Sequence, residues 1–382
     1  MLISPGVADR PKSRPIGVSS PDSDQNRGMA RVTLQTIADR VGVSRMTVSN
    51  AFSRPDQLSA DLRGRILTAA EELGYAGPDP SARALARGTA GAVGVLLTDS
   101  LRDAFADEVA TTFLGAIADE LTPTGLALTL LSAAEQPGSI PARDVPMDGA
   151  LVYSCNTHST AVDWLKRRRL PLVFVDQAPT PGFPSINIDD RSGARAAAQH
   201  LVDLGHRRID IVIANLAGPV RVIADPLGAT INHVIKQRLL GWHDALAAAG
   251  IEPTVVQEGY FLAEGKGSGE EAAEMLLDKP QPPTAILCFS DVVAYGVVQA
   301  ANARGLSVPD DLSVVGFDDN PLAQRMRPAL TTVRQDVAAK GHAAAAALTA
   351  AIDRSRTGAA TRVRHVLLPT ELVIRNSTAK PR

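Results

Sequence analysis

Short apolar runs alternate with alanine-rich helical stretches over most of the chain, and this alternation limits the fold more than any other feature. The strand-like runs are Val93–Leu97, Ala127–Leu131, Gly149–Val152, Leu172–Val175, Ile209–Ile213, Ala285–Phe289 and Ser313–Phe317. The helical stretches cover residues 106–121, 191–204, 239–249, 270–277 and 292–304. Because repeated strand–helix units place helices on the faces of parallel strands, residues 91–376 are predicted to form α/β, doubly wound parallel sheets.

The bulk composition fits a globular protein and narrows the classes to which it belongs. With 382 residues, 45% of them hydrophobic and 4% aromatic, the chain can bury a substantial core and is expected to divide into two or three domains. Its 39 basic and 41 acidic side chains give a formal net charge of -2, so no global positive field indicates binding to nucleic acid or anionic membranes. Any such partner must therefore meet a local patch.

The ends and the cysteines of the chain predict a cytoplasmic location. No apolar run approaches the ~20 residues of a membrane helix, and the N-terminus lacks the apolar segment of a signal peptide. Cys155 and Cys288 lie far apart in apolar, strand-like surroundings, which indicates inert core thiols in a reducing compartment. Residues 1–28 are expected to form a disordered tail, with Met29 as an alternative start of translation, and residues 377–382 a short C-terminal tail.

Three short amphipathic helices are predicted in an all-α domain that spans residues 29–76. Their expected N-caps are Thr33, Ser44 and Ser59, and glycines at 42 and 74 end the first and third helices. The expected inward-facing residues are Leu34, Ile37, Ala38 and Val41, then Val48 and Phe52, then Leu62, Ile66, Ala69 and Leu73. A tight turn between the first two helices is typical of a helix-turn-helix unit, whose second helix enters the major groove of DNA.

The exposed side of the second helix carries residues that can read base edges. Arg45 can bridge guanine O6 and N7, Asn50 can bridge adenine N6 and N7, and Met46 can lie against a thymine methyl group. Contacts to the DNA backbone are expected from Thr33, Ser44, Thr47, Ser49 and Arg83. The eight Arg and six acidic residues from 29 to 90 give only about +2, so a three-helix bundle with solvated Arg45 and Asn50 is the alternative.

Residues 77–90 form a candidate hinge between this domain and the rest of the chain. Asp79 can cap a helix, Pro80 suits its first position, and Gly88 suits the position after its end, but the segment between is barely two turns long. Such a helix is unstable alone and would form when paired with a second copy on DNA, where Arg83 and Arg87 can meet phosphates. The alternative is a capped linker turn.

The chain resembles the lactose-repressor (LacI/GalR) family. The similarity runs through "VTLQTIADRVGVSRMTVSNAFS", "SADLRGRILTAAEELGYAGPDPSARALARG", "PLVFVDQ", "INIDDRSGARAAAQHLVDLGHRRIDIVI", "PTAILCFSDVVAYGVVQAANARGLSVPDDLSVVGFDDNP" and "PALTTVRQDVAAKGHAAAAAL". It implies a helix-turn-helix head that binds a palindromic operator as a homodimer, with Leu85 inserted in the minor groove. It also implies a two-lobed core of periplasmic-binding-protein type. The expected crossings between lobes lie near Asp189, Thr331 and Arg356, so the N-lobe comprises residues 91–189 and 332–355 and the C-lobe residues 190–331 and 356–376.

Ligands of open α/β sheets collect at the carboxyl ends of strands, which places a small-molecule effector between the lobes. Polar residues finish four strands, at Thr98, Asp176, Ser290 and Asp318. The resemblance assigns ligand contacts to Arg238, Asp176 and Asp318, aromatic walls to Phe105 and Phe261, and a further contact to His342. A carboxylate opposite an Arg fork suits a sugar or polyol, although strand-end Asp residues also cap helices.

Two departures from the family bear on the effector. Ser290 stands where sugar-responsive relatives often carry Asn. The segment from Gly218 to Arg238 is longer than usual and brings Arg221, His233 and Lys236 towards the rim of one lobe, which indicates a ligand larger or more anionic than a plain sugar. The expected function is a repressor of carbohydrate-use genes, and the sequence leaves open whether the effector induces or corepresses.

Other classes of protein fit the sequence less well. A solute-binding protein of a sugar transport system would share the two lobes, but it has no use for residues 32–88. "GTAGAVG" and "GKGSG" lack the spacing of dinucleotide and phosphate loops, there is no G-x-S-x-G elbow, and His158 near Cys155 lacks further metal ligands. We therefore expect neither an enzyme nor a cofactor or metal. The chain ends without leucine heptads, which favours a dimer over a tetramer.

Overall fold

The computed structural model describes residues 32–77, 79, 83–85, 88–97, 101–133, 138–154, 159–215, 219–229, 232–259, 269–359 and 363–382. The chain divides into two compact units, residues 1–87 and 88–382, each described here by itself. Within the described ranges, none of the helices has the length and apolar character needed to cross a membrane.

The first unit contains three helices around a small apolar core. They are α1 Leu34–Val41, α2 Arg45–Ser53 and α3 Ala60–Glu72, with a 3-10 turn at Pro55–Gln57. Thr33, Ser44 and Ser59 cap the three helices, each accepting a hydrogen bond from a backbone N–H of the first turn. Gly42 ends α1 in the left-handed conformation, with φ 76°, which a residue with a side chain adopts at a cost.

The core of this unit comes from one face of each helix, as the sequence predicts. Its buried residues are Ile37, Ala38, Val48, Ala51, Ile66, Ala69 and Ala70. Phe52 is half-buried and packs edge-on against Tyr75, with 5.7 Å between the ring centroids. The helix-turn-helix prediction is confirmed, and Ala51 takes the fully buried position that the sequence assigned to Phe52.

The second unit contains two sheets, each covered by helices on both faces. The N-lobe sheet has the order β12-β5-β4-β3-β1-β2, and all its pairings are parallel. Its strands are β1 Ala92–Leu97, β2 Ala127–Ser132, β3 Gly149–Tyr153, β4 Leu172–Val175, β5 Ser185–Ile188 and β12 His365–Leu368. Its helices are α4 Leu101–Ala106, α5 Glu108–Leu121, α6 Pro141–Asp144, α7 Thr160–Arg167 and α14 Val337–Thr357, with a 3-10 turn at Thr122–Thr124.

The C-lobe sheet has the order β13-β11-β10-β9-β6-β8-β7, with the edge strands β13 and β7 antiparallel to their neighbours. Its strands are β6 Ile209–Asn215, β7 Arg221–Val222, β8 Val255–Gly259, β9 Ala285–Cys288, β10 Ser313–Asp318, β11 Thr331–Gln335 and β13 Thr370–Val373. Its helices are α8 Asp190–Asp203, α9 Pro226–Ala229, α10 His233–Ala248, α11 Glu270–Leu277, α12 Asp291–Ala303 and α13 Pro321–Arg325. Separate apolar clusters pack on the two faces of each sheet, which confirms the doubly wound α/β class.

Two of the three lobe crossings lie later in the chain than the sequence indicates. The first falls between β5, which ends at Ile188, and α8, which begins at Asp190. The second follows Gln335 rather than Thr331, because the whole of β11 pairs with β10 in the C-lobe sheet. The third falls at Pro369 rather than Arg356. The reason is that β12 adds to β5 at the edge of the N-lobe sheet, and only β13 returns to the C-lobe.

The last six residues are packed against the C-lobe and do not form the expected tail. The buried Ser377 Oγ accepts from the backbone N–H of Thr331 and donates to the carbonyl of Val314 at 2.6 Å. Nε2 of His206 lies 2.8 Å from the carbonyl oxygen of Ala379. The prediction of a tail for residues 377–382 was wrong because short polar side chains and backbone groups, invisible to hydrophobic patterning, fix this segment across the lobe.

Candidate functional site

The first candidate surface is the outer side of α2. Ser44 Oγ accepts from the backbone N–H of Thr47 at 3.0 Å and lies 2.8 Å from its hydroxyl, so the start of the helix is firmly capped. Burial of Val48 and Ala51 fixes the rotation of the helix about its axis. Arg45 and Met46 consequently point to solvent, and Met46 is 69% exposed. A large apolar side chain held in water at a helix start is available for contact with a thymine methyl group.

Asn50, the third expected base-reading residue, is half-buried and already has a partner. Its Nδ2 donates to Oε1 of Gln57, in the turn after α2, at 3.3 Å. This long hydrogen bond orients the amide along the exposed side of the helix and leaves its oxygen available as an acceptor. Gln57 is therefore a supporting residue that the sequence analysis missed.

Of the residues expected at the DNA backbone, Thr33, Ser44 and Arg83 are exposed, and Thr47 and Ser49 are half-buried. Thr33 Oγ1 caps α1 by accepting from the backbone N–H of Thr36 at 3.3 Å, and the carbonyl of Ser49 accepts from Ser53 Oγ. The exposed Arg83 stands in a short helical segment, residues 83–85, where its backbone N–H donates to the carbonyl of Asp79 at 2.9 Å. Pro80 and Arg87 of the candidate hinge lie outside the described residues.

Leu85, the expected minor-groove residue, is 86% exposed. Gly88 follows the helical segment in the left-handed conformation, with φ 68°, as expected for the position after a helix end. Within the first unit as described, Leu85 and Met46 are thus the two large apolar side chains exposed to the greatest extent. Both belong to the set that the sequence assigns to DNA.

The second candidate site lies between the lobes and centres on Arg238 of α10. Its guanidinium is buried, with Nε donating to Oδ1 of Asp190 at 2.8 Å and Nη2 lying 3.5 Å from Oδ1 of Asp318. Nη1 donates to the carbonyl of Phe289. The planar group lies on the ring of Phe317, with Cζ 3.5 Å from the ring centroid. A guanidinium held on several sides in this way is a rigid donor rather than a mobile surface charge.

A second cation and carboxylate face this group from the N-lobe. Lys340 Nζ, on α14, donates to Oδ2 of Asp176 at 2.5 Å and to Oε1 of Gln335 at 3.1 Å. Gln335 Nε2 in turn donates to Oδ1 of Asp318 at 2.6 Å. Asp176, Lys340, Gln335, Asp318 and Arg238 are therefore one connected polar chain that runs from the N-lobe to the C-lobe. We call it the inter-lobe chain, and Asp190 forms its C-lobe end.

The structure brings together three of the expected effector residues and assigns different places to others. Asp176, Arg238 and Asp318 belong to the inter-lobe chain. Ser290 is buried, and its Oγ caps α12 by accepting from the backbone N–H of Val293 at 3.3 Å. This hydroxyl therefore has a structural task at the strand end. Thr98 and Phe261 lie outside the described residues.

His342 and Phe105 differ in their relation to the inter-lobe chain. His342 lies on α14, with Nδ1 3.3 Å from Oε2 of Glu120 near the C-terminal end of α5. Asp107 caps the other end of α5. The helix turns its side chain towards α5, whereas Lys340, two residues earlier, points to Asp176, and an effector contact by His342 stays a prediction. Phe105 is 62% exposed and stands two residues before Asp107, a carboxylate coupled electrostatically to Lys340. Its role as an aromatic wall stays a prediction.

Sequence reasoning missed three residues of this site, Lys340, Gln335 and Asp190. The position of Lys340 nevertheless carried a signal. In "VAAKGHAAAAAL", Lys340 falls on the stripe that also contains Ala344 and Leu348, which is the buried face of α14. A lysine on a buried stripe requires a carboxylate partner, since lysine is almost never fully buried unpaired. Periodicity alone could not name that partner, because Asp176 is far away in the sequence.

Burial shifts the ionisation of the carboxyl groups in this site. Removal from water raises the pKa of Asp318 to about 7 and that of Asp190 to about 6, although the charge of Arg238 opposes the shift in both. Burial likewise raises the pKa of Asp107 and lowers that of His233. The site therefore contains carboxyl groups that titrate close to neutral pH.

Another buried carboxylate, that of Asp291, stabilises the turn after β10. Asp291, the first residue of α12, accepts from Thr332 Oγ1 at 2.5 Å and from the backbone N–H of Asn320 at 2.9 Å. A side chain at Gly316 would clash with its Oδ1, so glycine is required on β10 at this point. These contacts fix the turn after β10 that carries Asp318.

Metal and thiol chemistry find no support in the described ranges. Among those residues, no group of three or more His, Cys, Asp or Glu side chains is arranged to hold a metal ion. Cys288 is a buried free thiol whose pKa burial raises above its ordinary value, as expected for an inert core residue. Cys155 lies outside the described residues.

A helix-turn-helix unit joined to a two-lobed α/β domain defines a class of DNA-binding transcriptional regulators. Residues 33–77 match the model for bacterial regulatory proteins of the lacI family, and residues 198–378 match the periplasmic binding protein-like domain. The transcriptional regulator IpsA of Corynebacterium glutamicum is 38% identical over 330 residues, which cover 84% of this chain and 92% of IpsA. The chain therefore belongs to the LacI family of transcriptional regulators, and it is a regulator, not an enzyme.

Solved structures show the same architecture. A lac repressor dimer bound to operator and the anti-inducer ONPF has a TM-score of 0.68 and 27% identity, with 91% of this chain and 99% of that chain covered. A complex of the regulator CelR with cellobiose has a TM-score of 0.63 and 25% identity, with 91% of this chain and 100% of that chain covered. The similarity in both cases includes the head and both lobes.

Proposed function

We propose that this regulator is a cytoplasmic repressor of carbohydrate-use genes that binds a palindromic operator as a homodimer. In this proposal Arg45, Met46 and Asn50 read bases, and Thr33, Ser44, Thr47, Ser49 and Arg83 contact the DNA backbone. The observation that carries it is the outer side of α2, where Met46 and Arg45 are exposed on a helix whose rotation is fixed by Val48 and Ala51. The lac repressor dimer bound to operator is the supporting relative.

The effector is proposed to bind between the lobes, at the inter-lobe chain. Asp176 and Asp318 are buried at strand ends, where a ligand of an open α/β sheet collects, and Arg238 of α10 is buried against Asp318. The CelR complex with cellobiose supports a sugar as the chemical class. Thr98, Phe105 and Phe261 remain proposed walls of this site, whereas Ser290 is proposed to act through the cap of α12.

A homodimer is supported by an apolar patch on the C-lobe. Val292 and Tyr295 lie one turn apart on α12 and are 37% and 41% exposed. A second copy covering this patch would form a dimer, which a palindromic operator requires. A solute-binding role, the alternative, leaves the helix-turn-helix head without a task.

Genome-wide mapping of bound DNA tests this function. We expect the bound sites to share a palindrome with two half-sites and to lie beside genes of carbohydrate uptake or breakdown. Sites without a shared palindrome, or neighbouring genes unrelated to carbohydrates, would contradict the operator and the effector class respectively.

A further inference from the structure

The inter-lobe chain contains two cation–carboxylate pairs, one on each lobe. Arg238 and Asp318 form the C-lobe pair, and Lys340 and Asp176 form the N-lobe pair. Gln335 joins them because its oxygen accepts from Lys340 while its nitrogen donates to Asp318. The inference below rests on the proposed function, in which this cleft receives the effector.

The N-lobe pair retains unused hydrogen-bonding capacity. Oδ1 of Asp176 and Oε1 of Gln177 are buried acceptors with no hydrogen-bond partner among the described residues. Asp176 and Gln177 are 6% and 2% exposed, so bulk solvent does not reach these oxygens freely. Lys340 Nζ carries three N–H groups, and among the described residues it donates to Asp176 Oδ2 and Gln335 Oε1. Its remaining N–H is therefore available to a ligand. Buried polar groups without partners are rare and indicate a ligand or ordered water.

Asp176 faces the opposite lobe. Its charge acts on three groups of the C-lobe, namely Asp190, Arg238 and His233. Its backbone has the left-handed conformation, with φ 54°, which directs the side chain away from the continuation of β4. The free oxygen therefore belongs to the cleft and not to the interior of the N-lobe.

The charges of the inter-lobe chain disfavour an anionic ligand. Four carboxyl groups, Asp107, Asp176, Asp190 and Asp318, face the two cations Arg238 and Lys340, and burial keeps His233 neutral. Full ionisation gives an excess of two negative charges, and the raised pKa values of Asp318 and Asp190 make this excess smaller at neutral pH. Both cations are already held by carboxylates. A phosphate or carboxylate placed against the inter-lobe chain would meet repulsion and find neither of these two cations free, which is opposite to the more anionic ligand that the sequence indicates.

We propose that Lys340 and Asp176 form the N-lobe half of the effector site and select an uncharged, polyhydroxylated ligand over its phosphorylated or carboxylated forms. A hydroxyl group can donate to Asp176 Oδ1 and accept from Lys340 at the same time. An ammonium group can only donate, so a cationic ligand would offer no acceptor to the remaining N–H of Lys340. Lys340 and Asp176 are thereby specificity-determining residues.

The test uses full-length protein and matched neutral and anionic probes. Thermal unfolding is followed with ribose, glucose, cellobiose, xylitol and sorbitol, and with ribose 5-phosphate, glucose 6-phosphate and gluconate. Titration calorimetry then gives the affinity of each probe that stabilises the protein. We expect a neutral probe to bind and its phosphorylated or carboxylated form to bind at least tenfold more weakly. The proposal is overturned if an anionic probe binds more tightly than its neutral form, or if none of the neutral probes binds.

Two variants separate charge selection from a structural role. Asp176→Asn reduces the excess negative charge by one, so the ratio of neutral to phosphorylated affinity should narrow at least fivefold. Lys340→Met keeps the length of the side chain and should lower neutral-probe affinity at least tenfold. Lys279→Met makes the same substitution at a lysine paired with Asp210 near the start of β6, outside the inter-lobe chain, so it is the matched control and should bind like wild type.

Folding and function are monitored separately. Thermal unfolding without ligand shows whether each variant folds, and a folded Asp176→Asn protein with an unchanged affinity ratio contradicts the proposal. Wild-type protein that binds a palindromic operator but no neutral probe overturns this inference and leaves the proposed regulator standing. Protein that binds no specific DNA overturns the proposed function itself.

Discussion

The side-chain amide of Gln335 donates to Oδ1 of Asp318 at 2.6 Å, with both residues buried at the ends of neighbouring strands β11 and β10. Gln335 is the last residue before the chain crosses to the N-lobe. Asp318 is thus held from the crossing on one side and by Arg238 on the other. A ligand that binds Asp318 must compete with its hydrogen bond from Gln335, the residue that precedes the crossing between lobes. Such a ligand can therefore favour one arrangement of the lobes over another.

The raised pKa of Asp318 predicts a pH dependence of stability. A carboxyl group with a pKa of about 7 in the folded protein and about 3.9 when unfolded stabilises the folded state below pH 4 and loses that contribution as the pH rises through 7. The Asp318→Asn variant has no ionisable group at this position, so its stability should not show this decrease. Urea unfolding at several pH values from 5 to 8 should show wild type falling by about 1–3 kcal/mol relative to the variant. Parallel curves would contradict the shift.

The reading helix should confer sequence preference. Arg45→Ala and Asn50→Ala are each expected to weaken operator binding by about 1–3 kcal/mol, because each removes a bidentate base contact. Binding to random DNA should change less. Arg40→Ala, which removes an exposed charge paired with Glu72 on α3, is the control for general electrostatics. Equal losses on operator and random DNA, measured by fluorescence anisotropy at fixed salt, would restrict these residues to phosphate contacts.

Arg238 should be essential for the response to effector. Arg238→Ala removes three donor contacts and should abolish effector binding in calorimetry. It also leaves Asp190 and Asp318 buried without their cation, which costs about 3–5 kcal/mol of stability. Arg238→Lys keeps the charge but not the planar fork, so it should fold better and still lose affinity. Wild-type effector affinity in a folded Arg238→Lys protein would remove the residue from the site.

Leu85 should couple the heads to the centre of the operator. If this exposed side chain enters the minor groove, Leu85→Ala should lower operator affinity and the bend angle of the DNA without altering effector affinity. Ala84→Pro should disrupt the hinge more severely, because proline removes a backbone donor and clashes with the preceding turn. A binding titration with a DNA-bending readout checks both, and an unchanged bend in Leu85→Ala would show that the hinge does not insert.

The sequence predicts the strands and the head better than the lobe boundaries. Periodicity located Leu172–Val175 and Glu270–Leu277 to the residue, because apolar burial determines both elements. Periodicity did not locate the crossings at Gln335 and Pro369, because strand order depends on pairings between residues far apart in the sequence. Family motifs named Asp176, Arg238 and Asp318 of the proposed effector site, whereas Lys340 could be assigned only after the structure showed its partner Asp176. Lys340 and His342 contact different neighbours because a two-residue step on a helix turns a side chain by more than half a turn.

Operator titration with and without effector tests the central claim most directly. Full-length protein is titrated into the palindrome found by genome mapping and into a scrambled duplex of equal length, at the same salt concentration. We expect the palindrome to bind at least about 1,000-fold more tightly than the scrambled duplex. We also expect the neutral ligand that stabilises wild type to change operator affinity at least about fivefold. Equal affinity for both duplexes, or an operator affinity that no bound ligand changes, would contradict a ligand-responsive regulator.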